Sequence, residues 1–587
     1  MVQADVQYAV VAFPSNAGSV QVAVDGQNHP LTADSQVPNL FKGSAPSGSS
    51  YQYVMDNQAE TPKRSLANGA SSTGNEFFNR THTIVNVPEL PQAYHPFYPP
   101  LFTGMNKSNE VATIILNVNG SAFDSVVQAP TQKGKAQVYS FAYVSNKEVY
   151  TISTSGQSTK DFAKQSYAID FGDFIPQGQK KPLFFGRTIV KLRAEATDPT
   201  QLREKLYLDC LAAAGATTLS GSFVRLFVNN QPYGLYTLMD DISTHTIDNM
   251  LHGGNWTYAT TGVTYKGNAL SPTQEGNLAY LGDDPTKYSP DTYKLVDVGE
   301  DPNASTKNNT VTNLIDFTKR LSQINPSTIT DGNNQALLGL LNPDNTLVAL
   351  AMNYLTDSWD GLWVQASNYY LNQDFGTNQW CITSYDFDET FGNGAQPGRD
   401  SVPYTNYSRP DSVRPLPDLF LNSPYYKLHF EEILKTMVKR FFNTRVIVPR
   451  LQAWATLLEE DIAWDYSIPG HSPGTKNTFT VQDFLTNLNS TAASTEGIGQ
   501  WIGNRVSSLT QQLSFTDADD LPPLGPYKGG NVLLGNGQIV PNDGSNSANP
   551  GTSTNGNGSN GTSAASLTIA NPVVLASALI VMAMALF

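Results

Sequence analysis

The chain has 587 residues, of which 40% are hydrophobic and 15% charged, so a large core and more than one domain are possible. Its formal net charge of −15 argues against a nucleic-acid partner, because proteins that bind nucleic acids neutralise phosphates with clustered Lys and Arg. The small charged fraction and the abundance of Asn, Ser, Thr and Gly are typical of a solvated extracellular protein.

The N-terminal segment alternates short β-type runs with Gly, Asn and Pro. Gln7 to Phe13 predicts a strand, and Asp25-Gly26, at the end of a second run, is a hairpin signal. We predict a small β-sandwich over residues 1–66 that serves as a structural accessory module, followed by a loop-rich linker over residues 67–110. No basic segment precedes the first apolar run, so we expect that a signal peptide is missing from this sequence.

The middle of the chain changes from strand-like to helix-like patterns. Residues 111–240 contain mostly β-type runs with one helix near residues 200–214, whereas residues 310–520 contain apolar residues at helical spacing. A β-rich half followed by a helical half is the order of a two-lobed kinase. We therefore predict an α+β protein whose atypical two-lobed, protein-kinase-like domain covers residues 111–515.

An acidic run, Tyr385-Asp386-Phe387-Asp388-Glu389, follows the apolar run Trp380 to Thr383. The aromatic neighbours indicate that Asp386 is held, partly buried, at the end of a strand. Burying a carboxylate costs on the order of several kcal/mol unless it is paired or binds a metal, and hard oxygen ligands suit Mg²⁺ or Mn²⁺. The alternative is a turn capped by its Asp side chains, because Asp favours turns.

Two further polar residues precede this run, Asp360 in Trp359-Asp360-Gly361 and Asn368 before a strand-like segment. Protein kinases order their chemistry in the same way, with a base Asp, then a metal-binding Asn, then a metal-binding Asp next to Phe. The spacing differs from the usual kinase loop, because eight positions instead of five separate Asp360 from Asn368, and no His-Arg-Asp triplet is present.

Six segments between about residues 160 and 400 occur together in a fixed order: Lys164-Gln165-Ser166-Tyr167; Lys191-Leu192-Arg193 with Asp198 to Leu206; Val224 to Asn230 with Tyr233-Gly234-Leu235-Tyr236; Trp359-Asp360; Asn368 to Leu371; and Asp386-Phe387. In this order they resemble the CotH-like kinase family, named after a spore-coat protein kinase, and the chain is most similar to its fungal cell-surface, invasin-like branch. The chain departs from the family at Asp240-Asp241, where bacterial members often carry Glu and then Asp.

The resemblance implies an atypical protein kinase that transfers phosphate from ATP, with Mg²⁺ or Mn²⁺, to Ser or Thr of secretory or surface proteins. Asp360 would be the catalytic base. Asp386 would bind the metal with help from Asn368 and Asp388. Without the resemblance, each of these side chains is equally well explained as a cap of a turn or a helix end.

The same resemblance implies cations that contact the phosphates of ATP. Lys164 and Lys191 lie on predicted strands and are the candidates, and Glu204 on the following helix would pair with such a lysine. The alternative for each lysine is a solvated surface charge. Asp240, after the strand Leu235 to Met239, would lie at the hinge between the lobes, where adenine binds. No Gly-x-Gly-x-x-Gly or Gly-Lys-Ser/Thr loop is present, so neither common glycine loop holds the phosphates.

A second hypothesis is a cell-surface adhesin on a kinase-like scaffold, with little or no catalytic activity. It follows from the resemblance to fungal invasins, which engage host-cell receptors through a segment between the Trp-Asp-Gly and Asp-Phe-Asp motifs. Here that segment is residues 364–379, and it matches the invasin motif only in part. The partner would then be a host receptor, and the two roles are compatible.

The C-terminus carries a second strong signal. Residues 516–566 form a predicted low-complexity linker rich in Gly, Asn and Ser, and residues 567–587 end in an apolar tail without a following Lys or Arg. Small residues, a polar spacer and a terminal apolar tail are the pattern of a GPI-attachment signal, which would place the attachment site at Asn560. The alternative is a tail-anchor helix, although the tail is shorter than a usual membrane span. We expect display at the cell surface through the anchor.

Two further residue types concern the location of the protein. Asn-x-Ser/Thr acceptors for N-glycosylation occur at Asn79, Asn106, Asn119, Asn255, Asn303, Asn308, Asn406, Asn489, Asn557 and Asn560. The two cysteines, Cys210 and Cys381, are either a disulfide or two buried thiols, and nothing in the sequence fixes their distance.

Overall fold

A computed structural model of the protein describes residues 5–15, 19–129, 134–152, 163–173, 175, 182–300 and 311–544. The predicted attachment residue Asn560, the apolar tail and the acceptors Asn303, Asn308 and Asn557 lie outside these residues. The described part is a mixed α/β structure with five sheets and eleven helices. None of its helices is long and apolar enough to cross a membrane.

The first sheet contains seven strands in the order β6-β5-β2-β3-β4-β1-β7. Asp25 and Gly26 have φ values of 47° and 86°, which confirms the hairpin turn between the second and third strands. The seventh strand lies within the segment predicted as a linker and pairs in parallel with the first. The strands are β1 Asp5–Val11, β2 Val20–Val24, β3 Gln27–Ala33, β4 Leu40–Pro46, β5 Tyr51–Met55, β6 Gln58–Ala59 and β7 Ser72–Phe77.

The second sheet also contains seven strands, in the order β11-β10-β9-β14-β15-β13-β12. Its strands, together with the short β8 and two helices, are β8 Leu101–Phe102, β9 Val111–Val118, α1 Gly120–Gln128, β10 Val138–Val144, β11 Val149–Ile152, β12 Tyr167–Asp170, β13 Ile189–Arg193, α2 Arg203–Ala213, β14 Gly221–Val228 and β15 Gln231–Asp240. Helix α2 is the predicted one, whereas α1 was not predicted. Side chains alternate between two cores: Val224 and Leu238 pack with Phe123 of α1, whereas Phe223 and Leu235 pack with the helices.

The third sheet has the order β19-β16-β20-β21 and lies among the helices of the C-terminal half. These elements are α3 Thr244–Leu251, β16 Thr261–Gly267, β17 Ala269–Ser271, β18 Gln274–Glu275, β19 Tyr293–Asp297, α4 Val311–Ser322, α5 Gln335–Leu338, α6 Pro343–Thr356, β20 Tyr369–Asp374, β21 Gln379–Ser384, α7 Pro415–Leu421, α8 Pro424–Arg440, α9 Thr444–Ser467, α10 Val481–Asn487 and α11 Ile498–Leu513. Helix α6 is buried along nearly its whole length, which agrees with its apolar sequence.

The segment after α11 folds back onto the N-terminal half. Strands β22 Asn531–Leu533 and β23 Ile539–Pro541 form a hairpin, and β22 pairs in parallel with β8. This part of the predicted linker is therefore structured. Its apolar runs Val532 to Leu534 and Ile539-Val540, separated by a Gly-Asn-Gly turn, are a hairpin pattern within the Gly- and Asn-rich composition.

Candidate functional site

Helix α2 is fixed at its start by the turn that precedes it. The carboxylate of Asp198 accepts hydrogen bonds from the backbone N–H groups of Thr200, Leu202 and Arg203, which satisfies donors at the helix N-terminus. Arg203 pairs with Asp198 and also donates to the carbonyl of Thr390 at 2.9 Å. The first turn of α2 is thereby tied to the acidic segment, and Glu204 is placed beside it.

Three carboxylates converge at this point. Single oxygen atoms of Glu204, Asp386 and Asp388 all lie within 4.8 Å of one another. Glu204 is fully buried, whereas both Asp side chains are half-buried. The backbone N–H of Phe387 donates to Oε2 of Glu204 at 2.7 Å, and the rings of Phe387 and Tyr207 stack at 3.7 Å. These contacts hold the acidic segment in register with α2, and we call the three residues the acidic cluster.

Arg193, at the end of β13, pairs with every member of the acidic cluster. Its Nη2 donates to Asp386 and to Asp388, the latter at 2.9 Å, and lies 3.6 Å from Glu204. Thr197 donates a further hydrogen bond to Asp388. One guanidinium therefore faces three carboxylates, so the cluster carries an excess of negative charge when all three are ionised.

The pKa values of the three carboxyl groups in the acidic cluster shift in opposite directions. Burial raises the pKa of Asp386, but Arg193 and Lys191 outweigh burial and lower it to about 2. Burial and the neighbouring Asp386 raise the pKa of Glu204 to about 7, despite Arg193. Burial is also the main cause of the raised pKa of Asp388, which lies next to the ionised Asp386. Asp386 thus holds its charge while its neighbours retain protons more readily.

Asp360 and Asn368 form a second group close to the cluster. Nδ2 of Asn368 donates to Oδ2 of Asp360 at 2.6 Å, whereas the buried Oδ1 of Asp360 has no hydrogen-bond partner among the described residues. Burial, with the nearby Asp386 and Glu389, raises the pKa of Asp360 well above its ordinary value. Asn368 and Asp386 also have positive φ, at 54° and 68°, a backbone conformation that is more often found at functional sites.

Two lysines on different sheets lie within electrostatic range of Asp386 in the acidic cluster. Lys191 on β13 shares a sheet face with Arg193, because alternate residues of a strand point the same way. Lys266 on β16 lies with its Nζ 4.6 Å from the ring centroid of Tyr385, the residue before Asp386. Burial and the charge of Lys191 lower the pKa of Lys266 to about 8.

The structure places Lys164 away from this group. Its Nζ forms an ion pair with Asp465 of α9 at 2.8 Å and donates to the carbonyl of Leu235 at 2.6 Å. The expected pairing of Glu204 with a lysine is wrong, because the cation beside Glu204 is Arg193. Residue-type reasoning missed these partners since Asp465 is 301 positions from Lys164 in sequence.

Asp240 also lies elsewhere. It is buried, forms an ion pair with Arg187 at 2.6 Å and accepts a hydrogen bond from the backbone N–H of Ser220. It lines a cavity of about 440 Å³ beside the C-terminal part of α2, to which no member of the acidic cluster contributes. The next residue, Asp241, lies within electrostatic range of Lys266 and Tyr370, so it is the neighbour on the side of the acidic cluster.

The other predicted side chains divide by exposure. The glycosylation acceptors Asn79, Asn255, Asn406 and Asn489 are exposed. Asn106 and Asn119 are half-buried: the side chain of Asn106 accepts a hydrogen bond from Lys205, and that of Asn119 caps α1.

Cys210 and Cys381 are both buried and free, so they are two thiols and not a disulfide.

Glu195, Arg193 and Lys266 are site residues whose role was not predicted. Glu195 is fully buried with a φ of 50°, and neither of its carboxylate oxygens has a hydrogen-bond partner in the described part of the chain. Lys266 follows the buried run Val263-Thr264-Tyr265, so a charge inside an apolar strand was the signal that could have found it.

The residues of the acidic cluster fit a divalent cation. Their donors are carboxylate oxygens, which suit Mg²⁺ or Mn²⁺ better than softer metals. Oε1 of Glu204 and Oδ1 of Asp360 are buried without hydrogen-bond partners among the described residues, a state that costs free energy unless another ligand satisfies it. A metal held by Glu204, Asp386 and Asp388 would also neutralise the excess negative charge that Arg193 balances only in part.

Comparisons with known proteins identify the family of the chain. The family model described as CotH kinase protein matches residues 152–509. The chain is 29% identical to Invasin CotH7 of Rhizopus delemar over 83% of this chain and 78% of that protein, and 29% identical to Invasin CotH3 of the same fungus over 89% and 86%. Inner spore coat protein H of Bacillus subtilis is 20% identical over 51% of this chain and 74% of that protein. The chain belongs to the CotH kinase family.

Proposed function

We propose that the protein is an atypical protein kinase that transfers the γ-phosphoryl group of ATP, with Mg²⁺ or Mn²⁺, to Ser or Thr of secretory or surface proteins. The observation that carries the proposal is the acidic cluster next to the Asp360–Asn368 pair, with lysines approaching from two sheets. We further propose that the second sheet with α2 is one lobe, that the third sheet with the remaining helices is the other, and that the first sheet is the accessory sandwich.

In this mechanism Asp360 accepts the proton of the substrate hydroxyl. Asn368 holds Oδ2 of Asp360, which leaves Oδ1 for the hydroxyl group. The substrate oxygen forms its bond to the γ-phosphorus, the bond from that phosphorus to the bridging oxygen breaks, and ADP leaves with the electron pair. The metal, when bound, supplies positive charge that neutralises the phosphates and lowers the pKa of Asp360. Lys191 and Arg193 provide positive charge on the side of the second sheet.

Two substitutions test the kinase proposal. Asp386→Ala removes a charged ligand without removing core volume, so it should abolish stabilisation by ATP with metal in a thermal unfolding assay and leave the metal-free protein folded. Asp360→Asn should keep ATP binding and lower transfer to a Ser-rich acceptor by about 10²–10⁴-fold. The exposed Asp291→Ala is the control and should change neither. Stabilisation by ATP and metal that persists in Asp386→Ala would refute the metal assignment.

A second candidate function is an adhesin that binds a host receptor, which is supported by the names of the Rhizopus relatives. The segment expected to bind the receptor, residues 364–379, contains strand β20, and only residues 376–378 within it are exposed. The most exposed part of this segment is therefore the turn between β20 and β21. An intact wild-type protein that binds ATP but phosphorylates no acceptor would favour the adhesin function.

We propose that a GPI anchor attached near Asn560 displays the protein at the cell surface. The support is the sequence pattern of the linker and tail, together with the invasin-named relatives. Deleting residues 567–587 should release the protein into the medium, and so should a phosphatidylinositol-specific phospholipase. A protein that stays in the membrane after lipase treatment would favour the tail anchor.

A further inference from the structure

Lys266 is a half-buried cation that the proposed mechanism does not use. In the described part of the chain it forms no ion pair, and its only recorded contact as a cation is with the ring of Tyr385, at 4.6 Å. Its neighbours across β16 are Lys294 on β19 and Tyr370 on β20, so the adjacent strands provide no carboxylate directly opposite it. A buried ammonium group without a counterion is unfavourable, because burial removes its hydration.

The positions of Lys266 and Lys191 indicate what kind of anion could bind to both. The two lysines come from different sheets, yet each interacts electrostatically with the other and with Asp386. Asp386 is already bound by Arg193. Arg193 also pairs with Glu204 and Asp388, so the carboxylates of the acidic cluster are occupied by Arg193 and, in the proposed function, by the metal. Neither Lys191 nor Lys266 forms an ion pair in the described part of the chain, and an anion from outside the chain that carries several negative charges can bind both.

A polyphosphate meets these requirements better than a carboxylate does. It carries multiple charges on oxygens spread over several ångströms, so it can contact cations on both sheets at once, and ammonium groups bind phosphates well as point charges. The aromatic pair Tyr370 and Tyr385, whose ring centroids lie 4.4 Å apart, forms an apolar wall beside Lys266 that strengthens the attraction by excluding water.

We propose that Lys266 is a second phosphate-binding lysine, which contacts the triphosphate of the nucleotide from the third sheet while Lys191 contacts it from the second. This inference rests on the proposed function, in which ATP is the phosphate donor. It places one phosphate contact on the half of the chain after residue 260, in addition to the contact from Lys191 on β13.

The test compares Lys266→Met with Lys294→Met, its exposed cross-strand neighbour, and with Lys266→Arg. Isothermal titration would measure the Kd for ATP with Mg²⁺ and for inorganic tripolyphosphate. We expect Lys266→Met to weaken both by about 10- to 150-fold, the value of one charge-assisted hydrogen bond. Lys294→Met should stay within about twofold of the wild type, and Lys266→Arg should recover at least part of the affinity.

Thermal unfolding of the ligand-free variants separates a binding role from a structural one. Because Lys266 is a half-buried cation that forms no ion pair in the described part of the chain, Lys266→Met should leave the Tm of the ligand-free protein unchanged or raise it. Unchanged binding of both ligands by Lys266→Met, or a lowered Tm of its ligand-free form, would overturn the inference. A wild type that binds tripolyphosphate but not ATP would instead refute the proposed function, and the tripolyphosphate measurement would still test Lys266.

Discussion

Glu204 illustrates how one buried side chain can link protons to metal binding. Its carboxyl group is held by the backbone of Phe387 on one oxygen, while the other oxygen has no partner among the described residues. Burial, with the ionised Asp386 nearby, raises its pKa to about 7 from an ordinary value near 4.5. In the metal-free protein this residue therefore contributes less to stability as pH rises from about 4.5 to 7, because the folded state binds the extra proton.

This proton must leave before Glu204 can bind a cation. We expect the affinity for Mn²⁺, measured by titration at pH 5.5 to 8, to rise by up to about tenfold per pH unit below pH 7 and to level off above it. Glu204→Gln should bind Mn²⁺ more weakly and lose this slope. Glu389→Gln is the matched control, since burial also raises the pKa of Glu389 to about 7, yet it lies outside the acidic cluster. Equal Mn²⁺ affinity at pH 6 and pH 8 would show that Glu204 is not a ligand.

Among the elements, helix α9 makes contacts with segments that are more than 200 positions away in sequence. Asp461 accepts hydrogen bonds from Arg225 of β14 and from Arg80, all at 2.7 Å, and Asp465 binds Lys164 and the backbone N–H of Leu235. Burial raises the pKa of Asp461, but the two arginines outweigh burial and lower it below its ordinary value. The helix thus fixes the second sheet, which carries Lys191 and Arg193.

Asp461→Asn would leave the buried guanidinium of Arg225 without its counter-charge. Breaking a buried ion pair by removing one partner typically costs about 3–5 kcal/mol, so we expect a loss of this size in the free energy of unfolding, measured with denaturant. Glu459→Gln, an exposed residue of the same helix, should change it by less than about 0.5 kcal/mol. Because the pKa of Asp461 is lowered, its contribution is present at neutral pH and is lost as pH falls below about 4. A loss that is equal for both variants would contradict this role.

Local signals predicted the elements better than their partners. The turn at Asp25-Gly26, the buried helix α6 and strand β21, which ends at Ser384 just before Asp386, follow from periodicity and turn chemistry. The cation beside Glu204 and the carboxylate beside Lys164 could not be predicted in this way, because both depend on packing between distant segments. The family resemblance predicted the order of the site residues along the chain, but it did not predict which of their oxygen atoms lie close together.

At the scale of the whole molecule, the C-terminal end of the described chain is joined to residues 95–102 and to Gly253. The hairpin β22–β23 extends β8, Asn531 donates to the carbonyl of Gly253 at 2.7 Å, and the ring of Tyr527 lies 5.4 Å from that of His95. These contacts close one side of the cavity that Asp240 lines. Residues 525–544 are therefore part of the folded protein, and a spacer to the proposed anchor can begin only after them.

The packing of the C-terminal hairpin depends on Gly530, which has a φ of 63°. Gly530 lies so close to Pro100 that an added Cβ would be 2.3 Å from the carbonyl oxygen of Pro100. Gly530→Ala combines this clash with a backbone conformation that costs other residues about 1–3 kcal/mol. We expect limited proteolysis between residues 515 and 530 to accelerate by about 5- to 150-fold, because the local opening becomes more frequent by that factor. Gly535→Ala, in the same hairpin but with open space around its Cβ, should be cleaved at the wild-type rate. Cleavage of Gly530→Ala at the wild-type rate would mean that the approach of Gly530 to Pro100 does not hold the C-terminal hairpin in place.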